Sequence, residues 1–461
     1  MDSAIAYVQE RRNAFVEELK TFCRIASVST KTEHRPDMQK AAEWLADAMR
    51  TIGLDHVQIM LTGGHPVVYA DWLHAPGKPT ALVYGHYDVQ PVEPLDLWTS
   101  GPFDPTVRNG ELFARGAVDD KGQVFMHLKA LEAHLKTRGT LPTNVKLLIE
   151  GEEEIGSPNL DSFIANHQDL LGADVVVISD TAMIAKGAPG ITHGLRGLVY
   201  FQLDVEGTRS DLHSGSFGGA LINPAFALAQ ILAQLKDKNG RITIPGFYDD
   251  VRRLSAEERR AMARLPFSEK KFQKEIGAPA LFGEKGFTTL ERLWARPTLE
   301  VNGLYSGFIG EGAKTVLPGR AMAKISMRLV PNQDPAKIAR LFTQHAKRLC
   351  PKTVRLKVTE ISGRGVPWLA PTDHPAVQAM AQAIQKGFGK KPVFTRTGGT
   401  IPVVATFTRL LKAPSLLMGI GLPDENAHAP NEKLDLDNLH HGMLSAVHLW
   451  EELAEIEMAR S

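Results

Sequence analysis

The chain has 461 residues, with 53 Lys and Arg against 52 Asp and Glu, for a formal charge of +1. That length exceeds one ordinary core, so two domains are expected, and the charge balance argues against a nucleic-acid or membrane-surface role. Only Cys23 and Cys350 occur, far apart, which indicates neither a disulfide framework nor a thiolate metal site. In chain order, helical periodicity covers roughly 5–23 and 38–52, and buried strands follow near 66–72, 80–85, 144–150 and 174–179, with a helix over about 123–137 between them. Strands alternating with helices predict an α/β domain with a mainly parallel sheet and helices on both faces. After Gly194-Leu-Arg-Gly197 the character changes. An alternating strand over 198–205, a helix over 224–235, a charged insertion over 237–297, strands near 298–305 and 320–330, a helix near 335–348 and a strand near 353–360 follow the split βαβ order of a ferredoxin-like α+β domain. From about Asp373 the helix and strand alternation resumes and ends in a helix over 440–455. The expected domains are therefore 1–196 and 373–461, forming one discontinuous domain, and 197–372, inserted between its two parts. No apolar stretch of about eighteen residues occurs. The start Met-Asp-Ser-Ala-Ile-Ala also lacks a basic segment followed by an apolar core, so a soluble, cytoplasmic protein is expected.

Separated segments carry the chemistry. Ala81-Leu-Val-Tyr-Gly-His86-Tyr-Asp88 is a buried-strand run that ends in an imidazole and a carboxylate two apart, which extended backbone points to the same side. A metal-binding imidazole usually donates its other N–H to a carboxylate, a role open to Asp88; a strand-end turn with solvated polar residues is the alternative. Asp119 and Asp120 lie between Gly116 and Gly122 just before the 123–137 helix. An N-cap role suits Asp120 and leaves Asp119 unexplained, and adjacent carboxylates repel unless something cationic sits beside them. Glu150-Gly-Glu152-Glu153-Glu154 follows an apolar strand, where open α/β sheets place their sites. A metal-dependent hydrolase needs one carboxylate as ligand and another as proton shuttle, and neighbouring glutamates can divide those roles. Asp180 ends another β-branched strand, and His428 lies in a polar loop before the last helix. A lone histidine is more often a satisfied core residue than a ligand; the convergence of these segments makes the ligand set of a two-metal hydrolase. His and carboxylate donors without thiolate suit Zn²⁺, Mn²⁺ or Co²⁺ alike, and Zn²⁺ is the expected ion, with Mn²⁺ or Co²⁺ as alternatives.

Tyr84-Gly-His86-Tyr-Asp88-Val-Gln-Pro91, Gly116-Ala-Val-Asp119-Asp120-Lys-Gly122, Glu150-Gly-Glu-Glu153-Glu154-Ile-Gly156-Ser157, Ile178-Ser179-Asp180, Asp211-Leu-His213-Ser-Gly215 and Asn426-Ala-His428 resemble the motifs of the M20 metallopeptidases. Within that family they are most similar to the branch of cytosolic non-specific and carnosine-type dipeptidases. The resemblance implies two divalent ions per subunit, with His86, Asp119 and Asp180 holding one, Glu154 and His428 the other, and Asp119 bridging. It also implies Glu153 as general base, Asp88 as the acid orienting the imidazole, and a cis peptide between Asp119 and Asp120. The three consecutive glutamates leave the register open, since residue chemistry alone also allows 152 and 153 as base and ligand.

The same resemblance implies a homodimer in which His213 reaches the partner subunit's active site and stabilises an oxyanion. Arg328 would grip a substrate carboxylate, with Thr315, Gly399 and Thr400 adding hydrogen bonds. A strand-edge salt bridge for Arg328 and a helix cap before Pro402 for Thr400 are the plainer alternatives. Gly307-Phe-Ile-Gly310-Glu-Gly312-Ala-Lys314-Thr315 is set aside as a phosphate loop, because Ala313 separates glycine from lysine and a strand follows. His440 and His441, adjacent on a helix, cannot share a face. The expected function is a metal-dependent exopeptidase acting on dipeptides or short peptides with a free C-terminal carboxylate. An N-acyl amino-acid amidohydrolase is the alternative for the same chemistry, and a non-catalytic binding protein on this fold is the other.

Overall fold

The computed structural model describes residues 2–361 and 363–457. It divides into two compact units: residues 1–193, 370–395 and 403–461 form the first, and residues 194–369 with 396–402 form the second. The first unit is built on a mixed sheet whose strands lie in the order Asp55–Met60, Val67–Trp72, Asn144–Glu150, Thr80–His86, Val175–Ile178, Ser415–Leu417 and Gly190–Leu195. The four strands from Asn144–Glu150 to Ser415–Leu417 run parallel, and their flanking neighbours are antiparallel. Those parallel strands are buried along their length except at the first residues Thr80 and Asn144, as a sheet covered on both faces requires.

Alternation sorts the two faces. Ala81 and Val83 point into a core shared with the helices Arg35–Ile52, Lys121–Arg138 and Leu436–Ala454, whereas Tyr84 points to the opposite face, where its ring meets Phe407 of the helix Pro402–Leu410 edge-on at 5.4 Å. The helix Lys121–Arg138 is buried from Lys121 to His134, because it passes between the sheet and the C-terminal helix.

Local details depart from the expectations at two places. The helical run over 5–23 is two helices, Ser3–Glu10 and Arg12–Cys23. At Arg11 the backbone leaves helical geometry, and the guanidinium lies over the rings of Tyr7 and Phe15, at 5.2 and 5.7 Å from their centroids. Asp120 does occupy the position before the helix Lys121–Arg138, yet its side chain caps nothing there; its Oδ2 accepts from the amide of His86 at 3.3 Å instead.

The second unit is a four-stranded antiparallel sheet in the order Thr298–Ser306, Arg320–Leu329, Gly197–Glu206, Arg355–Glu360. The helices Pro224–Ala233 and Pro335–Leu349 cover one face. Strand Gly197–Glu206 alternates buried and half-buried residues along its whole length, as a sheet with one covered face dictates. Its core gathers Phe201, Leu228, Ile325 and Phe342. Strand, helix, two strands, helix, strand is the ferredoxin-like order the sequence predicts. The charged insertion carries three short helices, Ala256–Ala263, Glu269–Glu275 and Thr289–Ala295; the first and third start at capping boxes, Ser255 with Glu258 and Thr288 with Glu291. No helix among the described residues is long and apolar enough to cross a membrane.

Candidate metal centre

The parallel strands of the first unit deliver their polar residues at the carboxyl ends, where open α/β sheets bind ligands. His86 is the last residue of its strand, Glu152 to Glu154 follow the strand that ends at Glu150, and Asp180 lies two residues beyond Ile178. Asp119 sits in the turn before the helix Lys121–Arg138, and its peptide bond to Asp120 is cis, as the resemblance implies. The turn is tight: a Cβ on Gly122 would lie 2.1 Å from the carbonyl oxygen of Ala117, so only glycine lets the helix start so close to the loop.

Around Asp119 the side chains converge. Its Oδ1 is 3.1 Å from His86 Nε2 and its Oδ2 is 2.8 Å from His428 Nε2. Glu154 Oε2 stands 3.3 Å from the same His428 nitrogen. Two groups result in which every residue offers a ligand atom within 4.8 Å of the others: His86, Asp119 and Asp180, and Asp119, Glu154 and His428. Asp119 belongs to both. The Nδ1 of His86 meets the Asp88 carbonyl oxygen at 3.0 Å, with the Asp88 carboxylate farther off at 3.4 Å. That carboxylate instead accepts from the amides of Glu153 and Glu154, at 3.2 and 3.0 Å. Glu152 points elsewhere and accepts from Asn159 Nδ2 at 2.8 Å.

The electrostatics show what the donors lack. Burial, with repulsion from Asp119, Asp120 and Glu153, drives Asp180 well above the usual carboxylate range. Burial likewise lifts Glu154 to about 8 and raises Glu153. Burial also acts upward on Asp119, but its hydrogen bonds to His428 and His86 win and hold it below the ordinary value. The hydrogen bond to Asp119 pushes His428 up to about 9. Asp120 Oδ1 is buried without a hydrogen-bond partner. Among the described residues, the only cationic partners these carboxylates find are the two imidazoles. A buried cluster with so much unbalanced negative charge fits divalent cations, and the donor chemistry, carboxylate and imidazole, is that of Zn²⁺, Mn²⁺ or Co²⁺.

Residues 82–452 match the model of peptidase family M20/M25/M40. The chain belongs to this family. It is 34% identical to the Cys-Gly metallodipeptidase dug1 of Schizosaccharomyces pombe over 460 residues, covering 96% of each chain. It is 31% identical to the human Beta-Ala-His dipeptidase, covering 99% of this chain and 93% of that one. Among solved structures it is similar to the M20 family metallo-carboxypeptidase Sso-CP2 from Sulfolobus solfataricus, with a TM-score of 0.85 and 34% identity over 96% of this chain and 99% of that one. The chain is thus an M20 metallopeptidase, with the donor set for a dinuclear centre.

The remaining expected site residues of this M20 peptidase all lie in the second unit and form two groups. His213, in the short strand Leu212–His213, pairs opposite Val316, and the Ser214 amide bonds to the Thr315 carbonyl at 3.0 Å, so His213 and Thr315 share one exposed ribbon. The His213 Nδ1 accepts from the Gly215 amide at 3.0 Å, and the residue is exposed. Arg328 donates to Thr400 Oγ1 at 2.9 Å, and Thr400 in turn donates to the Arg196 carbonyl at 2.6 Å. The Gly399 carbonyl accepts from the Arg196 amide at 3.1 Å. Arg328 makes no ion pair among the described residues and lies on a strand paired on both sides, so the strand-edge salt bridge gives way.

Sequence reasoning assigned no role to Gln90, whose Nε2 donates to Glu154 Oε2 at 2.7 Å. Nor did it separate Glu150 from the other acids of its run. Glu150 is buried, accepts from the hydroxyls of Tyr84 and Ser157, and is pushed up to about 8, first by burial. Its place on the strand itself, before Gly151, was the available signal: it still follows the strand alternation, and the acids after the glycine do not.

Proposed function

We propose that this M20 peptidase is a dinuclear metal-dependent dipeptidase, an exopeptidase that hydrolyses the amide bond of dipeptides or short peptides with a free C-terminal carboxylate. The observation that carries the reading is the position of Asp119, one carboxylate shared by two histidine-containing donor groups, in a chain similar over nearly its full length to dipeptidases. His86, Asp119 and Asp180 would hold one ion, and Asp119, Glu154 and His428 the other. When bound, such a pair supplies Lewis acidity toward the amide carbonyl and lowers the pKa of water. Zn²⁺ is our first choice of metal.

Glu153 is the proposed general base. Its backbone amide is held by Asp88, and its raised carboxyl stands beside the donors without being one of them. It takes a proton from the attacking water and passes it to the departing amine. Arg328 would bind the substrate carboxylate through its planar fork, with Thr400, Gly399 and Thr315 as hydrogen-bonding neighbours. His213 would come from the partner subunit of a homodimer, its free Nε2 turned to the oxyanion. In this reading residues 1–196 and 373–461 make the catalytic domain, and 197–372 the lid that carries dimerisation and, together with Gly399 and Thr400, the substrate contacts. The two unpaired cysteines support a cytoplasmic enzyme.

A panel of free dipeptides, C-terminally amidated dipeptides and N-acyl amino acids, assayed with Zn²⁺ and with Mn²⁺, tests the assignment. Turnover of free dipeptides with loss on amidation is the expected result. Preference for N-acyl amino acids would make the chain an amidohydrolase, and no turnover of any class would leave only a binding role.

A further inference from the structure

Two buried residues that the chemistry above leaves unused, Arg115 and Glu432, pair beside Asp119. Neither exposes more than 1% of its surface, and Arg115 Nη1 lies 2.6 Å from Glu432 Oε2. The second guanidinium nitrogen donates to the Pro91 carbonyl at 2.9 Å. The other carboxylate oxygen, Oε1, accepts from the backbone amides of both Val118 and Asp119, each at 3.2 Å.

A buried ion pair is weak evidence of stabilisation, because desolvation offsets the Coulombic gain and an apolar pair of similar volume often does as well. An apolar pair cannot, however, accept two amide hydrogens in a set direction. The amide held here belongs to Asp119, whose carboxylate is common to both donor groups. Glu432 also lies four residues after His428 on one loop. That loop is tied down at Asn431, which accepts from the Thr99 amide and donates to the Leu97 carbonyl, both at 2.8 Å. One carboxylate therefore sets where the Asp119 turn lies relative to the His428 loop, across 313 residues of sequence.

We propose that Glu432, held by Arg115, is a positioning residue that aims Asp119 and His428 at a common cation. It governs the affinity of the site formed by Asp119, Glu154 and His428 more than that of the site formed by His86, Asp119 and Asp180. The inference rests on the ligand assignment above, and calorimetric titration of the metal-free full chain with Zn²⁺ separates the two. The parent should take up two ions. Glu432→Gln should weaken one binding phase by about 10- to 100-fold, the usual effect of losing a partner that orients a ligand, and change the other much less. Because Glu432→Gln leaves Arg115 buried and unpaired, the double variant Arg115→Met/Glu432→Met serves as the folding control. It removes both charges, should melt near the metal-free parent, and should still bind the same ion weakly. Parent-like affinities in either folded variant, equal weakening of both phases, or failure of both variants to fold would overturn the proposal. A parent that binds fewer than two ions sinks the ligand assignment, and the inference with it.

Discussion

Asp88 works through its two oxygens, which take the amides of Glu153 and Glu154 and so fix the proposed base and a proposed ligand in one clamp. Consecutive side chains then diverge: Glu154 turns to His428 and Glu152 to Asn159. The turn Glu153–Ile155, closed by Gly156 at φ 85°, decides that divergence. No pattern in three identical residues could have announced it. Glu153→Gln should lower kcat at least about a hundredfold, the effect of losing a general base, while two ions are retained. Steady-state kinetics with metal analysis on the same preparation checks this. An active Glu153→Gln beside a dead Glu152→Gln would move the base by one residue.

At the scale of elements, helix ends carry charge as well as geometry. Asp2 caps Ser3–Glu10 by accepting from the Ala4 amide at 2.9 Å, and it pairs with Arg138 in the last turn of the helix Lys121–Arg138. Burial acts upward on its carboxyl, but the Arg138 hydrogen bond, the Ala4 amide and the guanidinium charge outweigh it, and the group falls from 3.8 to about 2. A lowered folded-state value means that the charged form stabilises the fold above 3.8 and that this contribution fades as pH falls toward about 2. Asp2→Asn keeps a good cap and removes only the charge. Its melting temperature should lie below the parent's at neutral pH, and the gap should close across that acid interval. A gap that persists unchanged at pH 2 would show that the charge is not the cause.

At the scale of the whole molecule, two hydrophobic cores serve two tasks. One, running from Ala4 to Leu453, supports all five proposed metal ligands. The other, built on Phe201, Ile325 and Phe342, supports His213, Thr315 and Arg328. The proposed homodimer would bring a lid histidine to the metals of the neighbouring chain, as an isologous pair can. Mixing inactive Glu153→Gln subunits with inactive His213→Ala subunits should restore activity, since half the sites of each mixed dimer regain both groups. Mixed dimers with confirmed exchange and no recovered turnover would reject the shared site.

Strand and helix alternation, the ferredoxin-like order of the middle segment and the polar residues after buried strands were all legible in the sequence. Each follows from local periodicity or from a residue's place next to an apolar run. Hence His86, Asp119, Asp180 and the run Glu152 to Glu154 could be nominated from the residues, whereas the choice of Glu154 and of His428 as ligands came from the family resemblance, and the structure brings the five together. What no local pattern carries is distance between segments far apart in the chain. The break at Arg11, the turning of Asp120 toward the His86 amide, the hold of Gln90 on Glu154, and the pairing of Arg115 with Glu432 all depend on partners that folding supplies. A buried carboxylate reads in sequence like a solvated one. Only the packed structure shows which of them lack water and must find a proton, an amide or a cation.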